Sequence, residues 1–334
     1  MRIFVAGATG ALGRQLLPTL IAAGHSVWGM TRSPVKASPL QAAGVTPAIA
    51  DALDQDAVLS AITDAAPEVI VHELTALSSF TSLRRFDQEL AQTNRLRTEG
   101  TRYLLQAARA AGARRFVAQS FAGWPFAREG GPVKTEQDPL DRNPPAPARQ
   151  TVAAIRQLEA MVTGASDLEG LVLRYGFFYG PGTSLGEGGK QLEPIRRRLL
   201  PVFGSGAGIW SFIHICDAAA ATGLAIERGK PGIYNIVDDD PAPVSEWLPA
   251  LAAAVGAKPP FHVPAWLGRL AIGAQGMAMV TESRGASNAM AKRELGWRPQ
   301  FSSWRDGFRR GLGGNCPMGE PLRADPSVAA GEPG

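Results

Sequence analysis

The sequence predicts an α/β fold: a Rossmann-type doubly wound parallel sheet carrying a smaller, interwoven C-terminal α+β substrate lobe. Three observations predict it. Short apolar runs alternate with helix-like stretches through the first half of the chain. Those runs are apolar almost throughout, as strands covered on both faces require. A glycine-spaced turn, Gly7-Ala-Thr-Gly10-Ala-Leu-Gly13, joins the first run to the first helix.

Taken in order, Arg2–Ala6, Ser26–Met30, Glu68–His72, Arg115–Gln119 and Leu171–Tyr175 read as strands. Gly13–Ala23, Asp54–Ala65, Leu83–Ala111 and Ala148–Thr163 read as the helices between them. Segment 128–147, rich in Gly and Pro, is the longest structureless insert of this half. It is read with equal weight as a substrate cover or a plain surface loop. After Tyr175 the elements shorten. A glycine-rich loop spans 180–189, a basic helix lies near 193–200, and strands lie near 210–213 and 233–237. Helices follow near 216–227, 244–255, 266–279 and 302–312. The expected division is a Rossmann domain over 1–174, a lobe over 175–312 that returns strand to the first domain, and a disordered tail over 313–334.

Composition narrows the classes. At roughly 150 residues per domain, 334 residues suggest about two units. With 45% hydrophobic and 19% charged residues the chain can build a core. Lys+Arg 34 against Asp+Glu 30 leaves +4, and no basic run exceeds Arg196–Arg198, so no nucleic-acid surface is expected. Two cysteines, Cys216 and Cys316, are too few for a disulfide framework and lack metal-ligand spacing, so no metal site is expected. The absence of an export signal and of an apolar run of ~18 residues adds the expectations of no membrane span and a reducing cytoplasm.

The glycine turn carries the first chemistry. Glycines let backbone turn tightly against a pyrophosphate, and a helix N-terminus offers N–H groups and a positive dipole end. Gly7, Thr9, Gly10, Ala11, Leu12 and Gly13 are therefore expected to hold a dinucleotide. The second strand ends in Thr31-Arg32-Ser33 with no acid to receive a ribose 2′-hydroxyl. Arg32, Ser33 and Lys36 suit a 2′-phosphate, with Thr31 beside them as a further expected cofactor contact, which favours NADP(H) and leaves NAD(H) open. Asp51 is placed to approach the adenine or to cap the next helix.

These stretches resemble the extended short-chain dehydrogenase/reductases, the NAD-dependent epimerase/dehydratase type. The resemblance rests on the glycine turn, Asn94 with Gly100-Thr101, Arg115–Ser120, Leu173-Arg-Tyr175, Tyr179-Gly-Pro-Gly182, Phe212–Asp217 and Tyr234-Asn235. It implies a nicotinamide cofactor touched by Asn94, a small-molecule substrate bound in the second lobe, and allows a homodimer. It also implies Ser120 at the reacting oxygen, and a Tyr-x-x-x-Lys whose ammonium lowers the phenol pKa for proton transfer. That pair is missing. None of the four tyrosines has a lysine four residues on, and counting back from Glu159 puts Thr151 and Ile155 in the two places. The chain therefore resembles the atypical members.

Tyr175 and Tyr179 stand beside the expected nicotinamide and are the substitute proton donors considered, with Ser120 as the third catalytic residue. His72 and His214 are weaker candidates with structural readings, Lys134 is one with a solvated reading, and Arg156 would point about 100° away from the lysine face. Phe121, Trp124, Phe126, Phe177, Phe178, Trp210 and Phe212 suggest apolar walls. The function expected is reduction or oxidation of a small, rather apolar carbonyl, imine or conjugated ring. A cofactor-retaining isomerase, epimerase or dehydratase and an NmrA-like nucleotide-sensing regulator are the alternatives.

Overall fold

The computed structural model describes residues 1–77, 80–314 and 316. Seven parallel strands form one sheet: β1 Arg2–Ala6, β2 Ser26–Thr31, β3 Thr46–Ile49, β4 Val69–His72, β5 Arg115–Phe121, β6 Glu169–Tyr175 and β7 Gly232–Ile236. Their order is β7-β6-β5-β4-β1-β2-β3. The order in which strands are added reverses between β1 and β4, which opens a crevice above their C-terminal ends, where such sheets bind ligands. The strands are buried on both sides because two apolar layers cover them. Helices α1 Ala11–Ala22 and α5 Ile215–Arg228 supply one layer. Helices α2 Gln55–Ala65, α3 Thr101–Ala110 and α4 Arg149–Thr163 supply the other.

Strand β7 comes from the second half yet pairs with β6, Asn235 opposite Arg174, so the lobe is interwoven with the sheet. The remainder of that lobe packs Tyr179, Phe212, Trp247, Trp304 and Phe308 into a separate core.

Three expectations change. The helix expected over 83–111 is broken into short helical turns, then a π-turn over Leu96–Gly100, before α3 begins. Segment 128–147 is not structureless: Val133–Lys134 pairs with Gly285–Ala286, and Phe126 bridges Leu140. Arg284 donates to the Arg128 carbonyl, Glu136 accepts from Asn235 N at 2.9 Å, and Arg128 pairs with Asp141 and Glu282. The cysteines, a hundred residues apart in sequence, form a single Cys216–Cys316 disulfide, a pairing that the sequence reading did not anticipate. Of the tail, Gly313, Gly314 and Cys316 are described; the rest lies outside the described residues. Among the described residues no helix is long and apolar enough to cross a membrane.

Candidate active site

The glycine turn is built as a cradle. Gly7 has φ +103°, and a Cβ there would lie 2.7 Å from the Glu73 carbonyl carbon and oxygen. A Cβ on Gly13 would lie 2.4 Å from the Gly7 oxygen and 2.6 Å from the Ala8 oxygen. Gly10 donates to the Gly7 oxygen at 2.9 Å and caps α1 without a side-chain acceptor. No acid occupies the first turn of α1, so its N–H groups remain for an anion. These features fit a dinucleotide pyrophosphate, which Thr9, Ala11 and Leu12 would flank. Arg14, exposed, lies against the Gly180–Gly182 turn, 3.3 Å from where a Gly182 Cβ would be. It is a cation at the cradle that the sequence reading missed; its place directly after Gly13 was the available signal.

At the adenosine end, Thr31 is buried and its hydroxyl accepts from Ser33 N. Arg32 and Asp51 are both exposed and meet at 4.0 Å across the ends of β2 and β3. The cap of α2 is Asp54, which accepts from Asp56 N and Ala57 N, so Asp51 does not serve as that cap.

The third region lies where β5, β6 and α4 meet. Ser120 donates to Glu159 Oε1 at 2.7 Å, and Arg174 grips both Glu159 oxygens at 2.8 and 2.7 Å. All three are more than nine-tenths buried. The Ser120 proton is thus committed to a carboxylate, which corrects the expectation that it donates to a substrate oxygen. Thr151 donates to Asp87 Oδ1 at 2.7 Å and accepts from Asn94 Nδ2 at 3.0 Å. Asp87 also accepts from Gln150 N and Thr151 N, capping α4 from a distant turn. Ile155 is buried among Ala122, Phe126, Leu140 and Val237. Neither place offers a proton at the cleft.

The tyrosine substitutes fail on access. Tyr179 is fully buried in the second-lobe core, and its hydroxyl has no partner among the described residues. Burial pushes its pKa far up. Tyr175 is 1% exposed, 2.7 Å from Thr222 Oγ and 3.1 Å from Glu73 Oε1. Thr222 donates to the Ala218 carbonyl, so its oxygen accepts from Tyr175. His72 accepts from Leu74 N and bonds Thr101, and burial lowers its pKa to about 4. His214 caps α5 and bonds the Gly311 carbonyl. Lys134 is buried on Asp138 and the Glu129 carbonyl, and Arg156 donates to the Asp141 carbonyl. All four are structural.

Glu73 lies under the glycine turn, and burial raises its pKa to about 8. A neutral Glu73 can donate to the Tyr175 oxygen, completing the chain to Ala218. The native state then holds a proton that the unfolded chain releases above about pH 4.5. Stability contributed by this group is full below that value and falls as pH rises towards 8, by on the order of 1.4 kcal/mol per pH unit. Glu73→Gln, which keeps the donor without titrating, is expected to remove that part of the fall. Urea unfolding of both proteins at pH 5 and pH 8 measures it, and equal losses would contradict the assignment.

Of the seven expected wall residues, four gather as half-buried rings. Phe177 stacks on Trp210 at 3.9 Å, Phe121 meets Phe177 edge-on at 4.9 Å, and Trp124 lies 5.9 Å from Phe121. Phe86, not anticipated, joins at 5.0 Å from Trp124. Phe126, Phe178 and Phe212 belong to the cores behind.

Comparison with known proteins shows the family and agrees with the fold. The family model described as NAD dependent epimerase/dehydratase family matches residues 3–237. A 3-diazoavenalumate denitrifying reductase from a Streptomyces species is 46% identical over 313 residues, covering 93% of this chain and 100% of the relative. A 4-hydroxy-2-methyl-3-oxo-4-farnesyl-3,4-dihydroquinoline-1-oxide ketoreductase from Stigmatella aurantiaca is 30% identical, covering 77% of this chain and 74% of the relative. Among solved structures, the Thermus thermophilus UDP-glucose 4-epimerase with NAD has a TM-score of 0.72 at 24% identity, covering 93% of this chain and 98% of that one. A human epimerase family protein with NADPH has a TM-score of 0.70 at 22% identity, covering 93% and 99%. The chain belongs to the NAD-dependent epimerase/dehydratase family and is an oxidoreductase of the extended short-chain dehydrogenase/reductase type that works with a nicotinamide cofactor.

Proposed function

We propose that this enzyme is an NADP(H)-dependent reductase that replaces the diazo group of an aromatic substrate with hydrogen. The observation that carries the reading is the missing proton donor. Thr151 and Ile155 stand where a phenol and an ammonium would be, and the Thr151 proton belongs to Asp87. Reduction of a carbonyl makes an alkoxide that must be protonated. Reduction of an arenediazonium makes none. A nicotinamide held at the Gly7–Gly13 turn would supply a hydride, whose electron pair would become the new C–H bond while the C–N pair left with dinitrogen, so that no proton would be exchanged.

The name of the Streptomyces relative supports this substrate class. So do the rings of Phe121, Trp124, Phe177 and Trp210, whose faces suit a flat aryl group and its cationic diazo form. Arg32, with no acid ending β2, supports NADP(H) over NAD(H), since its pairing with Asp51 is exposed and weak.

The test is turnover of a diazotised aminoaryl acid with a no-enzyme control. The expected result is one NADPH oxidised and one N2 released per arene formed, with NADPH bound more tightly than NADH. Turnover of ketones with no enzyme-dependent N2 would overturn the diazo reading, and tighter NADH would overturn the cofactor preference.

A further inference from the structure

Arg97 is a buried cation with almost nothing to hold. It is 9% exposed and sits in the π-turn Leu96–Gly100, an irregularity that often marks functional sites. Its one hydrogen bond among the described residues is long, from Nη1 to Asn94 Oδ1 at 3.3 Å. A guanidinium carries five N–H donors in a fixed fork. The other buried cations are satisfied differently. Arg115 pairs with Glu169 at 2.7 Å and donates to two carbonyls, Arg174 grips Glu159, and Lys134 pairs with Asp138. Among the described residues Arg97 alone of these lacks an ion pair. Burial pulls its pKa down to about 10, while the field of Glu159 pulls the other way. Both Glu159 oxygens are already occupied by Ser120 and Arg174. The Arg97 N–H groups that no described residue accepts are not sealed from solvent, so they stay open to an acceptor that the chain itself does not supply.

Location names the partner. Thr151, Ile155 and Glu159 recur every four residues on one face of α4. Arg97 is anchored at one end of that face through Asn94, which donates to Thr151, and feels Glu159 at the other. The π-turn packs against α4, which places Arg97 along the helix whose Ile155 leaves the positive charge of the family motif missing.

We propose that Arg97 is the relocated cation of the hydride-transfer end of the cleft, its free N–H groups donating to the ribose hydroxyls on the nicotinamide side of the cofactor. It is a positioning residue: it orients the cofactor and moves no proton. The proposal rests on the cofactor site and not on the diazo substrate, so its test uses no substrate.

The test compares wild type with Arg97→Met and Arg97→Gln in two ligands, NADPH and adenosine 2′,5′-bisphosphate, which lacks the nicotinamide ribose. Both variants are expected to bind NADPH at least 10-fold more weakly and to bind the bisphosphate within 2-fold of wild type. Ligand-free Arg97→Met is expected to melt at the same temperature as wild type or higher, because an unpaired buried charge has been removed. Equal weakening of both ligands, unchanged NADPH binding, a lower ligand-free melting temperature, or failure of both variants to fold would each overturn the proposal in favour of a merely structural arginine.

Discussion

Gly13→Val is expected to abolish measurable nicotinamide binding while leaving a folded protein. The first atom of any side chain at this position would lie 2.4 Å from the Gly7 oxygen and 2.6 Å from the Ala8 oxygen. Both are backbone atoms of the turn, so relief requires the turn itself to move. That movement pushes the N-terminus of α1 away from the place its N–H groups and dipole serve. Gly10→Ala is the matched control, since its Cβ meets only the Gly7 oxygen at 3.1 Å. Its expected loss is an order of magnitude smaller. NADPH titration by fluorescence, with circular dichroism to confirm folding, measures both. Comparable binding by Gly13→Val and wild type would show that the cofactor does not rest on this turn.

Glu159→Ala is expected to cost the fold about 3–5 kcal/mol. Arg174 would be left 3% exposed with no carboxylate, and its Nη1 already has no acceptor among the described residues. Ser120 would lose the acceptor for its proton as well. The double variant Glu159→Leu/Arg174→Met removes the charges together and is expected to recover most of the loss, because the pair's attraction barely exceeds its desolvation. Denaturant midpoints of the two variants provide the measurement. A double variant as unstable as Glu159→Ala would mean that packing, not unpaired charge, sets the cost.

The sequence made the sheet legible because its signals are local. Each strand is a short apolar run covered on both faces, and at Gly7 and Gly13 the turn sets a backbone requirement that no other residue meets. The site was legible only in part. Tyr175 and Tyr179 were placed near the right strand end, but a strand end does not reveal which layer a ring enters; both enter cores. Phe126, Phe178 and Phe212 misled for the same reason.

Arg97 was hidden because 83–111 reads as one continuous helix. The π-turn changes the register of the face, and no local pattern announces it. Segment 128–147 looked structureless because its partners, Asn235, Glu282 and Arg284, lie about a hundred residues or more away. Asp87 was invisible as the cap of α4 on the same grounds.

In the reaction proposed above, hydride displaces dinitrogen at a site without a proton donor. The most direct measurement is the origin of the new hydrogen in the arene. Turnover of an arenediazo acid with NADPH deuterated at the transferring position, in ordinary water, should place one deuterium on the carbon that bore nitrogen for each N2 released. The mirror experiment, ordinary NADPH in deuterium oxide, should place none. Solvent deuterium fixed at that carbon would contradict the account, because it would require a protonation that Thr151, Ile155 and the buried tyrosines do not provide.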